Sequence, residues 1–348
     1  MIHHIDFFPG RTITIKNREY RYFGGTSYLG LQTDKNFQDI FIENTRIFGT
    51  NYGASRKSNV QMSIFEKAEG HLANIVGSEA CISLSSGYLA GQLISQFLNT
   101  NGYHFFYAPN THSALYHREV SAYPSFEELN DSVRKHLNSN EKSIPVIFLD
   151  SIDFSGLNYP SFMGLQSLPL EKIIVVADDS HGIGILGKNG GGVYQILKKL
   201  EPKELIVCCS LGKGYGIQGG AIFGTKNRVA ELKNTIFFGG ASPAAPVGLA
   251  TLVGSEKIYE KKRIALKNNI ELFLNSLKQK NKFEHMPNHP AFGFSDDTLA
   301  NYLEENNILI TNFKYPNEDS VSTNRIIISA AHKKEDIQYL VRCLNTLS

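Results

Sequence analysis

Three short runs of consecutive apolar residues constrain this chain more than anything else in it: Pro145-Val-Ile-Phe-Leu-Asp150, Lys172-Ile-Ile-Val-Val-Ala177 and Leu205-Ile-Val-Cys-Cys209. Each is short for a helix and shows no polar alternation, so each reads as a strand buried on both faces. Two further strands, Cys81-Ile-Ser-Leu84 and His104-Phe-Phe-Tyr107, accompany them. Between Met62 and Val76, the residues Ile64, Phe65, Ala68, Leu72 and Ile75 recur at helical spacing. Ser85-Ser-Gly-Tyr88 opens a second helix, to about Leu98. Strands alternating with helices in this way predict an α/β fold with a mostly parallel, doubly wound sheet.

The chain has 348 residues, room for about two or three domains. The expected division is a lead-in segment over 1–45 that packs with a small domain, a large domain over 46–240, and a smaller α+β domain over 241–348. Arg11 to Lys16 alternates like a strand, paired with Tyr20 to Phe23 through a turn at Asn17 to Glu19. One long helix is expected from Val247 to Leu277, bridging to the small domain. There Thr298–Glu305 and Lys334–Leu347 read as helices, and Ile308 to Ile310 and Arg325 to Ile328 as strands. A net charge of +2 gives no reason to invoke nucleic acid or an anionic membrane. No stretch is long and apolar enough to span a bilayer. Four cysteines, two of them adjacent in a core strand, point to reduced thiols in a cytoplasmic protein.

Ser86, His112, Asp178 and Lys213 all fall just past predicted strand ends, where ligands gather in such sheets. Lys213 sits between Gly212 and Gly214 at the end of a buried strand, where desolvation would make its amine a nucleophile for Schiff-base chemistry. Surface exposure is the default for a lysine. A Walker loop does not fit, because Gly214 follows the lysine and Val207 stands where the motif's first glycine belongs. Strand, then Ser85-Ser-Gly87, then helix is a way to present backbone amides to a phosphate; an ordinary capped helix reads the same. Gly182-Ile-Gly-Ile-Leu-Gly187 matches a dinucleotide fingerprint, but no helix follows it and residues 178–181 separate it from the strand. A metal site at Asp178, Asp179 and His181 lacks evident further ligands. Arg325 opens a strand and could fork a carboxylate; an exposed strand-end arginine is the commoner role.

Read together, Tyr28-Leu-Gly-Leu, Tyr52-Gly-Ala-Ser-Arg56, Ala68-Glu-Gly-His-Leu-Ala73, Leu84-Ser-Ser-Gly-Tyr88, Asn110-Thr-His-Ser113, Asp178-Asp-Ser-His181, Ser210-Leu-Gly-Lys213 and Arg325 through His332 resemble the motifs of the α-oxoamine synthases, in that family's order. The resemblance runs almost from end to end. It implies fold type I of the pyridoxal-phosphate transferases, with pyridoxal 5′-phosphate bound to Lys213. It further implies His112 over the cofactor ring, Asp178 on the ring nitrogen, and His181 on the phenolic oxygen. The phosphate would be held by Ser86, Gly87, Tyr88 and Ser210, and a substrate carboxylate by Arg325. The implied reaction joins an amino acid to an acyl-CoA with loss of carbon dioxide, in a homodimer with active sites between subunits. Transamination or aldol cleavage on the same scaffold, or a member without CoA-dependent activity, are the competing readings.

The sequence departs from the family pattern at several points. It is short before Tyr28 and lacks the helix usual there, and Thr26-Ser27 replace an asparagine. Val60 and Phe65 replace Gly and His. Ile152-Asp153-Phe-Ser-Gly156 replaces Phe-Ser-Met-Asp-Gly, and Gly239-Gly240 stand where hydroxyls are usual.

Overall fold

The computed structural model describes residues 2–100, 102–139, 142–153, 157–314 and 322–346. In chain order its strands and α-helices are β1 (Thr12–Ile15), β2 (Arg18–Phe23), α1 (Lys35–Phe48), α2 (Ile64–Val76), β3 (Ala80–Leu84), α3 (Gly87–Leu98), β4 (Tyr103–Tyr107), α4 (Phe126–Asn138), β5 (Ile144–Asp150), β6 (Ile174–Asp178), α5 (Tyr194–Lys198), β7 (Glu204–Ser210), β8 (Gly220–Gly224), α6 (Lys226–Lys233), α7 (Ile236–Gly240), α8 (Pro246–Gly254), α9 (Glu256–Ser276), β9 (Glu284–His285), β10 (Ala291–Phe294), α10 (Asp297–Glu305), β11 (Ile308–Lys314), β12 (Ser322–Ile327) and α11 (Lys334–Thr346). They fall into two compact units: residues 40–255, and residues 1–39 together with 256–348. The sequence reading had put these boundaries at 45 and 240. α8, beyond the expected boundary, belongs with the larger unit because it packs on α2.

The larger unit is built on a six-stranded sheet in the order β3-β8-β7-β6-β5-β4. β4 to β7 run parallel, while β8 is antiparallel to both its neighbours. The three apolar runs are its centre. Val146, Phe148, Ile174, Val176, Ile206 and Cys208 form one core with Leu93 and Ile94 of α3. Their alternates Ile147, Leu149, Val175, Ala177, Val207 and Cys209 are buried just as deeply. That two-sided burial is why these strands carry no polar alternation. Truncating a side chain such as Leu93 to alanine costs about 2–5 kcal/mol.

The smaller unit carries a second six-stranded sheet, β1-β2-β11-β12-β10-β9, in which only the β2–β11 pair is parallel. Its β1–β2 turn is Lys16-Asn17, both at positive φ (47° and 63°), one residue earlier than the sequence suggested. A two-residue loop of that kind matches strand twist best. The buried carboxylate of Asp336 takes two bonds from Arg11 Nη1 (2.8 and 2.9 Å), and Arg21 stands 3.4 Å away.

Two helical details correct the sequence reading. The expected single helix from Val247 to Leu277 is two helices, broken at Ser255, where ψ is 16° and the residue is buried. Gly254-Ser255 are poor helix formers at that point. α1 was not expected at all, although Asp34 caps it by accepting the Phe37 N–H (3.1 Å).

Candidate active site

The strand ends of the larger unit put the chemistry in one place. β5 ends in Asp150, β6 in Asp178 and β7 in Ser210, side by side at the carboxyl edge of the sheet. The sheet is parallel here, so these ends share one side. His112 follows β4, His181 follows β6 and Lys213 follows β7.

Lys213 is half-buried, and its Nζ lies 2.8 Å from Nε2 of His181. Its loop is pinned at both ends. Leu211 N–H donates to the Gly219 carbonyl (2.9 Å), and Ser210 is paired with Gly220 across β7 and β8. Ser180 ties this loop to β6: its hydroxyl accepts the Ser210 N–H (2.8 Å), and its own N–H donates to Asp178 Oδ1 (2.8 Å). The Ser210 hydroxyl accepts the Gly212 N–H (3.2 Å).

The start of α3 is pressed against the same strand end. Ser86 is its N-cap, with Oγ accepting the Leu89 N–H (3.2 Å). A Cβ on Gly87 would lie 2.7 Å from the Ser210 nitrogen, so only glycine lets this helix approach. The first amides of α3, which have no partner within the helix, thus open beside Ser210. Tyr88 is 55% exposed.

His112 is fixed from two directions. Its N–H donates to Asp150 Oδ1 (3.2 Å), and its Nδ1 accepts the Ala114 N–H (3.1 Å). An accepting Nδ1 leaves the ring neutral with its proton on Nε2. Burial lowers the His112 pKa, with Lys213 acting in the same sense and Asp178 against it.

Two of the acids here are held above their ordinary pKa, although Lys213 acts against this at Asp150. Burial and then Asp178 raise the Asp150 pKa well above its ordinary value. Asp179 is pushed up to about 7 by burial, against hydrogen bonds from Ser151 Oγ (2.6 Å) and the Val193 N–H (3.0 Å). Among the described residues no three His, Cys, Asp or Glu side chains are grouped to hold a metal ion.

Arg325 lies in the other unit, on β12, with Gly293 and Thr311 as its strand partners. It borders a cavity of about 340 Å³ with Tyr28, Thr26 and Thr311. Of the departures from the family pattern, Val60 is 70% exposed, and Phe65 is buried beneath the Arg56 guanidinium (4.0 Å). Asp153 is buried, with Oδ1 accepting the Asn158 N–H (3.1 Å); residues 154–156 of that segment lie outside the described residues. Gly239 gives its carbonyl to Ser55 Oγ (2.6 Å).

Sequence reasoning missed Asp150, Ser151 and Ser180 as parts of this cluster. It also quoted two motifs without seeing why they keep their separation. Arg56 and Glu69 pair at 2.8 and 3.3 Å, and Glu69 Oε1 also accepts the Ser83 N–H and hydroxyl (2.9 and 2.8 Å).

Comparison with known proteins agrees with this architecture. The 8-amino-7-oxononanoate synthase of Buchnera aphidicola subsp. Baizongia pistaciae is 26% identical over 360 residues, covering 97% of this chain and 91% of its own. Serine palmitoyltransferase of Sphingomonas wittichii superposes with a TM-score of 0.83 at 17% identity, over 99% of this chain and 91% of that one. An 8-amino-7-oxononanoate synthase structure from Francisella tularensis gives 0.71 at 19% identity, over 94% and 97%. The fold is therefore fold type I of the pyridoxal-phosphate enzymes. A family model described as aminotransferase class I and II matches residues 164–344, just over half of the 348, and the chain belongs to that family.

Proposed function

We propose that this chain is a pyridoxal 5′-phosphate enzyme that condenses an amino acid with an acyl-CoA, releasing carbon dioxide and free CoA, as 8-amino-7-oxononanoate synthases do. The observation that carries the reading is the Lys213 amine, 2.8 Å from the His181 ring beside the acid-rich ends of β5 and β6. The residues fit the cofactor. A half-buried amine, a helix N-terminus against Ser210 that only glycine permits, and a buried carboxyl at Asp178 match an aldehyde, a phosphate and a ring nitrogen. When bound, the cofactor supplies an electron sink for bond cleavage at the Cα of an amino acid.

Each residue then has a defined task. Lys213 would hold the cofactor through its aldehyde, and its Nζ would take the Cα proton of the substrate. His181, whose Nε2 meets Lys213 Nζ, would hydrogen-bond the phenolic oxygen. Asp178, steadied by the Ser180 N–H, keeps a proton on the ring nitrogen. His112 covers the ring face. Ser86, the amides of Gly87 and Tyr88, and the Ser210 hydroxyl hold the phosphate. Arg325 takes the substrate carboxylate. The reading includes a homodimer with sites between subunits, acting in the cytoplasm; no helix among the described residues is long and apolar enough to cross a membrane.

Borohydride reduction followed by peptide mapping tests the core of this reading. A pyridoxyl group on Lys213 is expected, and an unlabelled Lys213 would overturn it. Release of free thiol on mixing amino acid and acyl-CoA then tests the condensation. The protein's four cysteines are free but buried, so they leave that assay a low background. A second reading, transamination or aldol cleavage, draws support from Phe65, which fills its place beneath Arg56 with an inert ring. Keto acid or aldehyde formed without thiol release would favour it.

A further inference from the structure

Asp150 is absent from the residues assigned above, yet it shares their ground. It closes β5 in register with Asp178 at the close of β6. Its Oδ1 accepts the His112 N–H (3.2 Å), and its carbonyl accepts Asn158 Nδ2 (2.6 Å). Asn158 in turn donates its N–H to Asp153 (3.1 Å). Both the backbone and the carboxyl of Asp150 are therefore held in place.

Asp150 stands beside Asp178 across the β5–β6 pair, and desolvation and that neighbouring acid raise its pKa well above the ordinary value. Asp178 receives a backbone N–H and is the acid whose charge reaches the His112 ring. Asp150 faces Asp178 from β6, Cys208 from β7, Lys213 beyond β7, Tyr116 from the segment after β4, and Asp153 from its own loop.

We infer that Asp150 is a positioning residue held as the undissociated acid, which anchors the His112 backbone under its ring. This rests on the pyridoxal-phosphate reading of the site. The neutral carboxyl is not a spare acid. It fixes the distance between the histidine that covers the cofactor ring and the carboxylate that faces the ring nitrogen.

The test compares D150A and D150N holoenzymes, each loaded with pyridoxal 5′-phosphate. Visible absorbance is titrated from about pH 6 to 9.5, and kcat and KM are measured separately. D150A is expected to lower kcat by about tenfold or more with KM changed less than about threefold, because His112 loses its anchor. D150N, neutral and of the same shape, is expected to recover most of that loss and to keep the absorbance midpoint within about 0.3 pH unit of the parent. If Asp150 were ionised, D150N would remove a negative charge beside Lys213 and His112, and the midpoint would fall by about one unit or more. That fall overturns the inference, as does equal activity of D150A and the parent. Should D150A fail to fold, the D150N midpoint alone decides. Borohydride labelling of Lys213 in the same preparations separates the two failures. Label present with a shifted midpoint defeats only the role of Asp150, and label absent defeats the cofactor reading itself.

Discussion

The larger unit buries carboxyl groups in two places, and it treats them in opposite ways. Glu69 is 4% exposed, and burial raises its pKa, but the hydrogen bonds and charge of Arg56, then Lys233 and Ser83, carry it below the ordinary range. Asp178 and Asp179 at the end of β6 are buried as well, with half-buried Asp150 beside them, and no arginine pairs with these three among the described residues. Asp150 and Asp179 are pushed up instead, while Asp178 keeps one backbone N–H. A buried charge with its partner built in is architecture: here it locks α2, β3 and the loop carrying Arg56 together. Acids gathered at strand ends beside Lys213 and the His181 ring make a site rather than a joint. Both were conspicuous as sequence motifs, and only the surroundings separate them.

The largest effect expected from this contrast is at the strand-end cluster. K213A removes the amine that meets the arriving group; activity should fall by about a thousandfold or more and the borohydride label should vanish. Its melting temperature should stay within about 2 °C, since no core packing is lost. The Glu69 cluster should answer in the other currency, stability. R56A leaves Glu69 in the interior with the half-exposed Lys233 in place of its bidentate partner and should cost about 3 kcal/mol in denaturant unfolding. A loss under about 1 kcal/mol would erase the distinction drawn here.

A third prediction uses pH. The folded pKa of Asp179 is raised to about 7, so the folded protein binds its proton well before the unfolded chain does. Stability from this group is absent above pH 7 and grows as pH falls toward the unfolded value near 4. Relative to D179N, the parent should gain about 2 kcal/mol between pH 7 and 5. Glu69 has the opposite sign: its contribution is present above its unfolded value and lost only as pH falls through its lowered folded one. The smallest effect is S83A, which removes one of several bonds to Glu69 and should cost about 1.5 kcal/mol.

The strands of the larger unit were legible because two-sided burial leaves an apolar run that no other element needs. The residues after those strands were legible because a parallel sheet gathers them at one edge. What stands beside what was not. Asp150 looked like the polar end of a strand, and its state depends on Asp178 on a neighbouring strand, a matter of strand order. α4 went unread although Ser125 caps it by accepting the Glu128 N–H (3.2 Å), a pattern that the sequence carries openly. The break at Ser255 was hidden because the apolar pattern runs on through it.

β8 runs backwards between two strands that share a direction, and this has a practical side. The residues from 211 to 219 become a stitch rather than a flap, with each foot sewn into the middle of the sheet. A version of the protein with new termini cut into that stitch should not assemble its sheet. One opened within the glycine-free surface turn after Glu201 should, and its amine would still arrive at the same spot.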